Sequence, residues 1–327
     1  ILLELVWEAM EDAGQDMERL SGSDTGVYIG GFMQDFTAII LNPLNRSALN
    51  ASSAVGVNLA MLANRISHAF NFTGPSIAMD TACSSSLVSF HQACQALWHG
   101  ECSLVVTGGI NLMIRPEYNI ALNKGQFLAH DGRSKSFDSR GDGYGRGEGG
   151  GIVVVKPLAA ALRDNDRIYA LVHGTGVNQD GHTNGITVPN AKAQQTLIDK
   201  VCSEAKVARH RIRYVEAHGT GTALGDPTEC KALGAVYGAK RPPGEPCIVG
   251  SVKANIGHLE AAAGVAGLIK AALCLHHKQI PPQANLEKLN PNIPFDRLNL
   301  HVPRKLEPLP PGDGPAFAGV NSFGYGG

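Results

Sequence analysis

The chain has 327 residues, with 28 basic and 29 acidic side chains and a formal charge of −1. This balance, without a basic block or an aromatic-interleaved basic patch, argues against nucleic acid as a partner, and no apolar stretch approaches the length of a membrane span. The seven cysteines contain no C-x-x-C pair. They therefore argue against a disulfide framework or a metal site and predict a reducing, cytoplasmic location.

Apolar periodicity predicts alternating helices and strands in the first half of the chain. The chain begins inside a helical pattern without a start methionine and stops in a glycine-rich run, so both ends resemble cuts in a longer protein. The predicted helices cover residues 1–14, a pattern through 59–66, a stretch from 84 onward, and 158–163. The predicted strands cover residues 25–32, 76–79, 104–109 and 152–155.

Cys83 lies at a predicted junction between a buried strand and a helix, in the sequence GPSIAMDTACSSSL. Unpaired backbone N–H groups and the positive end of the helix dipole favour an anion at a helix start, so a thiol ionises there more easily than in water. Cys83 is therefore a candidate nucleophile. The alternative is a small buried hydrophobic residue, because free cysteine is among the most buried residue types.

A segment rich in glycine and charge, residues 115–151, comes after the first helices and strands. Gly145, Gly147 and Gly150 match a dinucleotide-binding pattern by letter. The predicted strand 152–155 comes next rather than a helix, so no helix N-terminus is available for a pyrophosphate. The segment instead indicates a structured loop over a site, with Asp and Arg side chains paired.

The second half of the chain repeats the order of strand, glycine-rich turn and helix. The predicted strands cover 168–177, 214–217, 248–251 and 316–321, the helices cover 191–205, 227–237 and 260–276, and a proline-rich connection covers 281–311. The repeated order predicts an α/β protein with two related halves, residues 1–165 and 166–327.

Two histidine motifs come directly after predicted strands of the second half. E-A-H-G-T-G-T contains His218, and K-A-N-I-G-H-L-E contains Lys253 and His258. Ligands of open α/β sheets bind in the crevice beyond the carboxyl ends of the strands. A lone histidine is more often an ordinary core or surface residue, but the position of this pair favours a site.

Four ordered motifs together resemble the β-ketoacyl synthase domain of modular or iterative polyketide synthases, a close relative of the animal fatty acid synthase domain. They are D-T-A-C-S-S-S-L at 80–87, E-A-H-G-T-G-T at 216–222, K-x-N-I-G-H-x-E-x-A-A-G at 253–264 and N-S-F-G-Y-G-G at 321–327. The resemblance covers essentially the whole chain. It implies the thiolase-like α/β fold, five layers αβαβα with two pseudo-repeated halves, and a homodimer. Segments that the family carries before Ile1 and after Gly327 are absent from this sequence.

The resemblance implies that Cys83 takes an acyl group from a phosphopantetheine thioester. His218 and His258 then stabilise the enolate formed when a malonyl unit loses CO2, and two imidazole N–H donors suit that negative oxygen. The backbone N–H groups of Cys83 and Tyr325 receive the oxyanion of the condensation step. The first half, 1–165, thus carries the nucleophile, and the second half carries the histidines.

Further roles are implied around these residues. Lys253 is a fixed positive charge beside the histidines, the alternative being a solvated surface lysine. Thr220 and Thr222 offer hydroxyls to a pantetheine arm, and Phe323 resembles a gating aromatic at the acyl pocket. Two carboxylates of the GDPTE stretch are predicted to cap and charge the helix that begins there rather than act as acid or base; they are Asp226 and Glu229.

The resemblance also implies partners. The substrates are malonyl and acyl thioesters on an acyl carrier protein, neighbouring synthase domains include an acyltransferase, and this domain binds no cofactor of its own. A loading-type member would carry glutamine at the nucleophile, and chain-passing members lack the histidine of H-G-T-G-T. Cys83 and His218 are both present, so the sequence predicts a competent condensing enzyme.

Three other functions compete with condensation. A non-elongating fragment would only dock carrier proteins or relay acyl chains. A cysteine hydrolase would use Cys83 and one histidine, but it has no use for Lys253 and a second histidine. A chalcone-synthase-like enzyme would use Cys, His and Asn with CoA substrates, and the histidine of G-H-L-E argues against it.

Overall fold

The computed structural model describes residues 1–239, 241–242, 244–311 and 314–327, which form two compact units. Unit 1 comprises residues 1–121, 148–168 and 260–265, and unit 2 comprises 122–147, 169–259 and 266–327. Neither unit is a continuous segment. The loop 122–147 from the first half of the sequence belongs to unit 2, and residues 260–265, where a helix begins in the second half, belong to unit 1. The division after residue 165 stays a prediction.

The first part of the chain supplies helices α1–α8 and the strands of the unit 1 sheet. The helices are α1 (Leu2–Asp12), α2 (Met17–Leu20), α3 (Asp35–Ile40), α4 (Ala51–Gly56), α5 (Met61–Phe70), α6 (Ser85–His99), α7 (Glu117–Lys124) and α8 (Leu158–Arg163), with 3₁₀ turns at Pro43–Ala48 and Ala82–Ser84. The strands are β1 (Gly26–Gly30), β2 (Ser76–Met79), β3 (Val105–Asn111) and β4 (Gly149–Val155).

The unit 1 sheet has the order β2-β1-β3-β4, with β1 parallel to both neighbours and β4 antiparallel to β3. Successive side chains of a strand point to opposite faces, so Val27 and Ile29 pack with Val6 and Met10 of α1. Tyr28 faces the other way and packs with residues of α6. The central strand is thus buried on both sides, as its unbroken apolar sequence predicts.

The second part of the chain supplies the remaining elements. The helices are α9 (Ala191–Glu204), α10 (Gly225–Leu233), α11 (Lys253–Ile256), α12 (Ala263–His277) and α13 (Phe295–Leu298), with 3₁₀ turns at Arg209–Arg211 and Glu260–Ala262 and a π-helical turn at Gly234–Gly238. The strands are β5 (Ile212–Glu216), β6 (Cys247–Gly250), β7 (Gln279–Ile280), β8 (Leu300–His301), β9 (Glu307–Pro308) and β10 (Phe317–Val320).

The main sheet of unit 2 has the order β10-β5-β6-β8, and all its neighbours are parallel. One face packs on α9 and α10 through residues such as Ile198, Val215 and Leu233. The other face packs on α12 through Tyr214 and Ala271. Its strand β5 lies between β10 and β6, whereas β1 of unit 1 lies between the two strands that come next in its sheet, β2 and β3.

The prediction of a strand over residues 168–177 was wrong. The segment is irregular, and its apolar residues Leu171, Val172 and Val177 are largely exposed. A strand needs a neighbour that accepts its hydrogen bonds, and no strand within the described ranges pairs with this segment.

Candidate active site

The nucleophile turn of unit 1 connects β2 to α6. Cys83 lies in the 3₁₀ turn that leads into the helix, and its side chain is 7% exposed. Ala82 before it has a φ of +55°, a left-handed conformation that costs about 1–2 kcal/mol for an L-residue. Two side-chain hydrogen bonds hold this backbone: Ala82 N–H donates to Asp80 Oδ1 at 2.9 Å, and Thr81 N–H donates to Ser85 Oγ at 2.9 Å.

Two glycines let the start of α6 approach the sheet. A Cβ on Gly30, the last residue of β1, would lie 2.5 Å from the Ser86 nitrogen, and one on Gly109 of β3 would lie 2.8 Å from the Ser86 Cβ. Ser86 Oγ in turn accepts from Val265 N–H at 3.0 Å. The sheet therefore sets the position of the turn that carries Cys83.

In unit 2, three motif segments come after the carboxyl ends of adjacent parallel strands. His218 comes after β5, Lys253 and His258 come after β6, and Phe323 comes after β10. The carboxyl ends of parallel neighbours meet at one edge of a sheet, so the three segments converge there.

The two imidazoles are in contact. The ring centroids of His218 and His258 are 5.4 Å apart, and the ring planes are nearly perpendicular at 84°. His258 is 1% exposed and Lys253 is 3% exposed, so the alternative of a solvated surface lysine was wrong. This juxtaposition was expected from the two strand-end motifs.

Burial and the lysine keep both rings neutral. Burial lowers the pKa of His218 well below its ordinary value, and the Lys253 cation and the neighbouring His258 ring lower it further. Burial likewise lowers the pKa of His258, with Lys253 and Arg146 adding to the effect. A neutral imidazole has one N–H donor and one acceptor nitrogen, so the pair presents donors without bringing a buried positive charge of its own.

The glycine-rich loop packs on the second histidine. His258 N–H donates to Gly145 O at 2.7 Å, and its carbonyl accepts from Gly147 N–H at 2.9 Å. The Tyr144 ring lies edge-on to the His258 ring at 5.0 Å. A Cβ on Gly257, which has a φ of +76°, would lie 2.9 Å from the Arg146 oxygen. The loop thus holds the backbone of His258, and its glycines lead into a strand and not a helix, as predicted.

Two buried carboxylates have partners that the sequence prediction missed. Glu229 Oε1 accepts from His218 N–H at 2.8 Å and from the Asn321 amide at 3.0 Å, and Oε2 accepts from Gly219 N–H at 2.9 Å. Asp226 accepts from Phe137 N–H at 2.8 Å. The prediction that they cap their own helix was therefore wrong, because their acceptor oxygens face backbone N–H groups of loops outside the helix. Asp226 does lie in the first turn of α10, as predicted.

These carboxylates are held in unusual electrostatic surroundings. Burial raises the pKa of Asp226 to about 7, while the N–H donors of Phe137 and Gly221 act in the opposite direction. Burial also raises the pKa of Glu229, against the N–H donors of Gly219 and His218. The sequence signal for these contacts was the spacing H-G-T-G-T-x-x-G-D-P-T-E, which places both carboxylates within one turn of the helix that follows the histidine loop.

The remaining predicted residues also belong to unit 2. Thr220 and Thr222 lie with their hydroxyl oxygens 3.1 Å apart. The Phe323 ring is partly buried against His218 at 5.6 Å, and its backbone N–H donates to His218 Nδ1 at 3.3 Å. Tyr325 is 45% exposed.

Within the described ranges, no group of three or more His, Cys, Asp or Glu side chains is arranged to hold a metal ion. In the same part of the chain, no helix combines the length and the apolar character that crossing a bilayer requires.

Comparison with known families decides the identity of this arrangement. The model of the "Beta-ketoacyl synthase, N-terminal domain" matches residues 1–161, and that of the "Beta-ketoacyl synthase, C-terminal domain" matches residues 169–287. The chain belongs to the β-ketoacyl synthase family. It is a ketosynthase domain of the kind found in type I polyketide synthases, a family of acyl-transferring condensing enzymes, as its four motifs predicted.

Named relatives support this membership. The 6-methylsalicylic acid synthase of Aspergillus niger is 47% identical over 331 residues, and highly reducing polyketide synthase 40 of Fusarium pseudograminearum is 46% identical over 329 residues. Both alignments cover 100% of this ketosynthase chain but only 18% and 13% of those proteins. The relatives are therefore polyketide synthases several times longer than this chain.

A solved structure confirms the fold prediction. The ketosynthase from module 6 of the bacillaene synthase from Bacillus subtilis 168 matches with a TM-score of 0.92 and 40% sequence identity, covering 99% of this chain and 56% of that one. This ketosynthase thus has the thiolase-like α/β fold of its family.

Proposed function

We propose that this ketosynthase elongates an acyl chain by decarboxylative Claisen condensation with a malonyl-type thioester. The observation that carries the proposal is the contact between the imidazoles of His218 and His258, beside the buried Lys253, which lowers the pKa of both rings. Loss of CO2 from a malonyl thioester places negative charge on the thioester oxygen. Two N–H donors stabilise that charge best when they are preorganised and water is excluded.

In the first half-reaction, Cys83 is the nucleophile. Its thiolate attacks the carbonyl carbon of an acyl thioester, the phosphopantetheine thiolate leaves and takes up a proton, and a new thioester forms on Cys83. The position of Cys83 in the turn before α6 supports this role, because the helix N-terminus favours the sulfur anion.

In the second half-reaction, the imidazole pair acts on the malonyl unit. The C–C bond to the carboxylate breaks, CO2 leaves, and the electron pair moves to the thioester oxygen, which accepts hydrogen bonds from His218 and His258. Lys253 lowers the pKa of both rings, so that each ring stays neutral with one N–H donor instead of becoming an imidazolium cation.

Condensation then joins the two units. The enolate carbon attacks the carbonyl carbon of acyl-Cys83, the Cys83 thiolate leaves, and the β-ketoacyl product remains on the carrier. We assign the backbone N–H groups of Cys83 and Tyr325 to the oxyanion of this step. Thr220 and Thr222 bind the amides of the pantetheine arm, and Phe323 borders the acyl pocket.

The proposal specifies partners. The substrates arrive on the phosphopantetheine of an acyl carrier protein, the domain needs no cofactor of its own, and neighbouring domains such as an acyltransferase supply the carrier-bound units. The strand β2 forms one edge of its sheet, and its Ile77 side chain is 44% exposed. Because a sheet edge can pair with a strand of another chain, this edge supports a homodimer. A cytoplasmic location is supported by the seven cysteines, all described and none in a disulfide.

Intact-protein mass spectrometry and CO2 release test the two half-reactions separately. With an acyl thioester, we expect one acyl adduct on Cys83 that Cys83→Ala abolishes. With malonyl-carrier, we expect CO2 release that His258→Ala reduces strongly while acylation of Cys83 persists; His210→Ala, at an exposed position, is the matched control. Acylation at another residue, unchanged CO2 release in His258→Ala, or free acid as the product contradicts the proposal. An acyl adduct without CO2 release identifies a relay instead.

A further inference from the structure

The turn that carries Lys253 begins where the pairing of β5 and β6 ends. Glu216 and Gly250, the last residues of the two strands, are in register. The N–H groups of Ser251 and Val252 lie beyond these paired residues, and an N–H group held away from water needs an acceptor. The backbone of the turn therefore depends on side chains for its hydrogen bonds.

Two buried side chains supply the acceptors. Ser251 N–H donates to Gln283 Oε1 at 2.8 Å, and Gln283 Nε2 donates to Ser251 O at 3.2 Å. Val252 N–H donates to Glu216 Oε1 at 2.6 Å. Hydrogen bonds to a charged group are shorter and stronger than those between neutral groups. The carboxylate of Glu216 thus gives the turn a charge-assisted restraint directly before Lys253.

The other carboxylate oxygen of Glu216 has two partners, one on β5 and one on α12. Tyr214 O–H donates to Oε2, and Lys270 Nζ lies 2.9 Å from the same oxygen. Burial and the charge of Glu216 raise the pKa of Tyr214 well above its ordinary value, so the phenol keeps its proton and remains a donor. Glu216 is 1% exposed. A buried carboxylate with these partners is held in place, because moving it would leave a charge without its hydrogen bonds.

We propose that Glu216 is a positioning residue that acts through Lys253. Its carboxylate holds Val252 N–H, and this hydrogen bond sets the turn that places the Lys253 ammonium beside the two imidazoles. The inference rests on the proposed function, in which those rings stay neutral and donate to the enolate oxygen. The E-A-H-G-T-G-T motif then contributes twice, since His218 acts on the substrate and Glu216 orders the lysine that lowers the pKa of that histidine.

The charges around the two rings give the inference a sign. The charged groups that act on the rings or on the lysine are Lys253, Arg146, Asp226 and Glu229. Loss of a carboxylate lowers the pKa of a nearby imidazole, because the imidazolium loses a favourable partner. Displacement of Lys253 raises that pKa, because a repulsive cation moves away. A rise in the pKa of the rings after a substitution at Glu216 therefore reports movement of the lysine.

Glu216→Gln and Glu216→Met are a matched pair of variants. Both remove the charge and keep an unbranched side chain of similar length, but only glutamine keeps an acceptor oxygen for Val252 N–H. Nitrogen-15 NMR of labelled histidine follows the protonation of each ring against pH, with the His218 signals assigned by their loss in His218→Asn. Glu204→Met, at an exposed position, is the control.

We expect the rings of Glu216→Gln to take up protons at the same pH as in the unsubstituted protein or lower, and those of Glu216→Met at higher pH. Malonyl decarboxylation is expected to slow about tenfold in Glu216→Met, the effect of one hydrogen bond, with acylation of Cys83 retained. Glu204→Met is expected to leave both readouts unchanged. Added to Lys253→Met, Glu216→Met is expected to raise the ring pKa values no further, because the group through which it acts is already absent.

Four results overturn the inference. Three concern the rings: no rise of their pKa values in Glu216→Met, an equal rise in Glu216→Gln, or a rise that persists in full when Lys253→Met is also present. The fourth needs no variant, and it is a Val252 amide that exchanges its hydrogen in the unsubstituted protein as fast as an exposed loop amide does. If the unsubstituted protein releases no CO2, the proposed function fails, while the titration still decides the positioning role.

Discussion

Glu229→Gln tests the claim that a buried carboxylate holds the histidine loop. In the wild type, Glu229 Oε1 accepts two hydrogen bonds and Oε2 accepts one from Gly219 N–H at 2.9 Å. The glutamine has the same shape but only one acceptor oxygen. If that oxygen occupies the Oε1 position, the amide NH2 faces the N–H of Gly219, and a buried donor is left without an acceptor.

An unsatisfied buried donor costs about 1–3 kcal/mol. We therefore expect the free energy of unfolding to fall by that amount and the melting temperature to fall by roughly 2–4 °C per kcal/mol. Decarboxylation is expected to slow by about 5- to 150-fold if the same free energy is lost from the arrangement of the His218 loop. Acylation of Cys83, which belongs to the other half-reaction, is expected to change much less.

Thermal unfolding and the two half-reaction assays measure these effects in the same preparation. Glu204→Gln is the matched control, because Glu204 is exposed and pairs with Lys200 at the surface, at a distance of 3.9 Å. Such pairs contribute about 0–1 kcal/mol. A Glu229→Gln protein with wild-type stability and wild-type CO2 release would refute the reasoning.

The same geometry supports three further predictions. Gly30→Ala places a Cβ 2.5 Å from the Ser86 nitrogen and is expected to destabilise the protein by about 1–3 kcal/mol and to slow acylation of Cys83; Gly56→Ala, with open space around it, is the control, and equal behaviour of the two contradicts the account. Lys253→Met removes the cation that lowers the pKa of both imidazoles, so NMR titration should show both rings taking up protons at higher pH, and unchanged titration disproves the effect. The folded-state pKa of Asp226, about 7, is higher than its unfolded value of about 3.9. The stability that Asp226 contributes when it is protonated, up to about 4 kcal/mol, is therefore complete below about pH 4 and is lost as the pH rises through 7. Urea unfolding across this range should show a weaker pH dependence of stability for Asp226→Asn than for the wild type, and identical curves would contradict the prediction.

Local sequence patterns predicted the elements that carry the site. The strand 76–79 and the helix 158–163 have the predicted bounds, and Cys83 lies between a strand and a helix. These predictions depend on apolar periodicity and on breaks at polar or glycine residues, which act within a few residues of chain. The meeting of His218 and His258 was also predictable from sequence, because each motif comes directly after a strand.

Contacts between distant segments could not be predicted from these local patterns. Glu229 was predicted to serve its own helix, yet it holds the backbone of His218 and the side chain of Asn321. The apolar segment 168–177 was predicted as a strand, yet a strand depends on a neighbour that the segment's own sequence does not specify. The hydrogen bond from Phe323 to His218 likewise depends on two strands being adjacent, which only the folded sheet decides.

A single-turnover experiment tests the central claim most directly. The protein carrying a labelled acyl group on Cys83 is mixed with malonyl-carrier, and mass spectrometry monitors both the protein and the carrier. The account predicts that the label leaves Cys83 and appears on the carrier as a β-ketoacyl thioester, with one CO2 released for each label transferred. Label that leaves Cys83 as free acid, or that reaches the carrier without CO2 release, would contradict carbon–carbon bond formation by this ketosynthase.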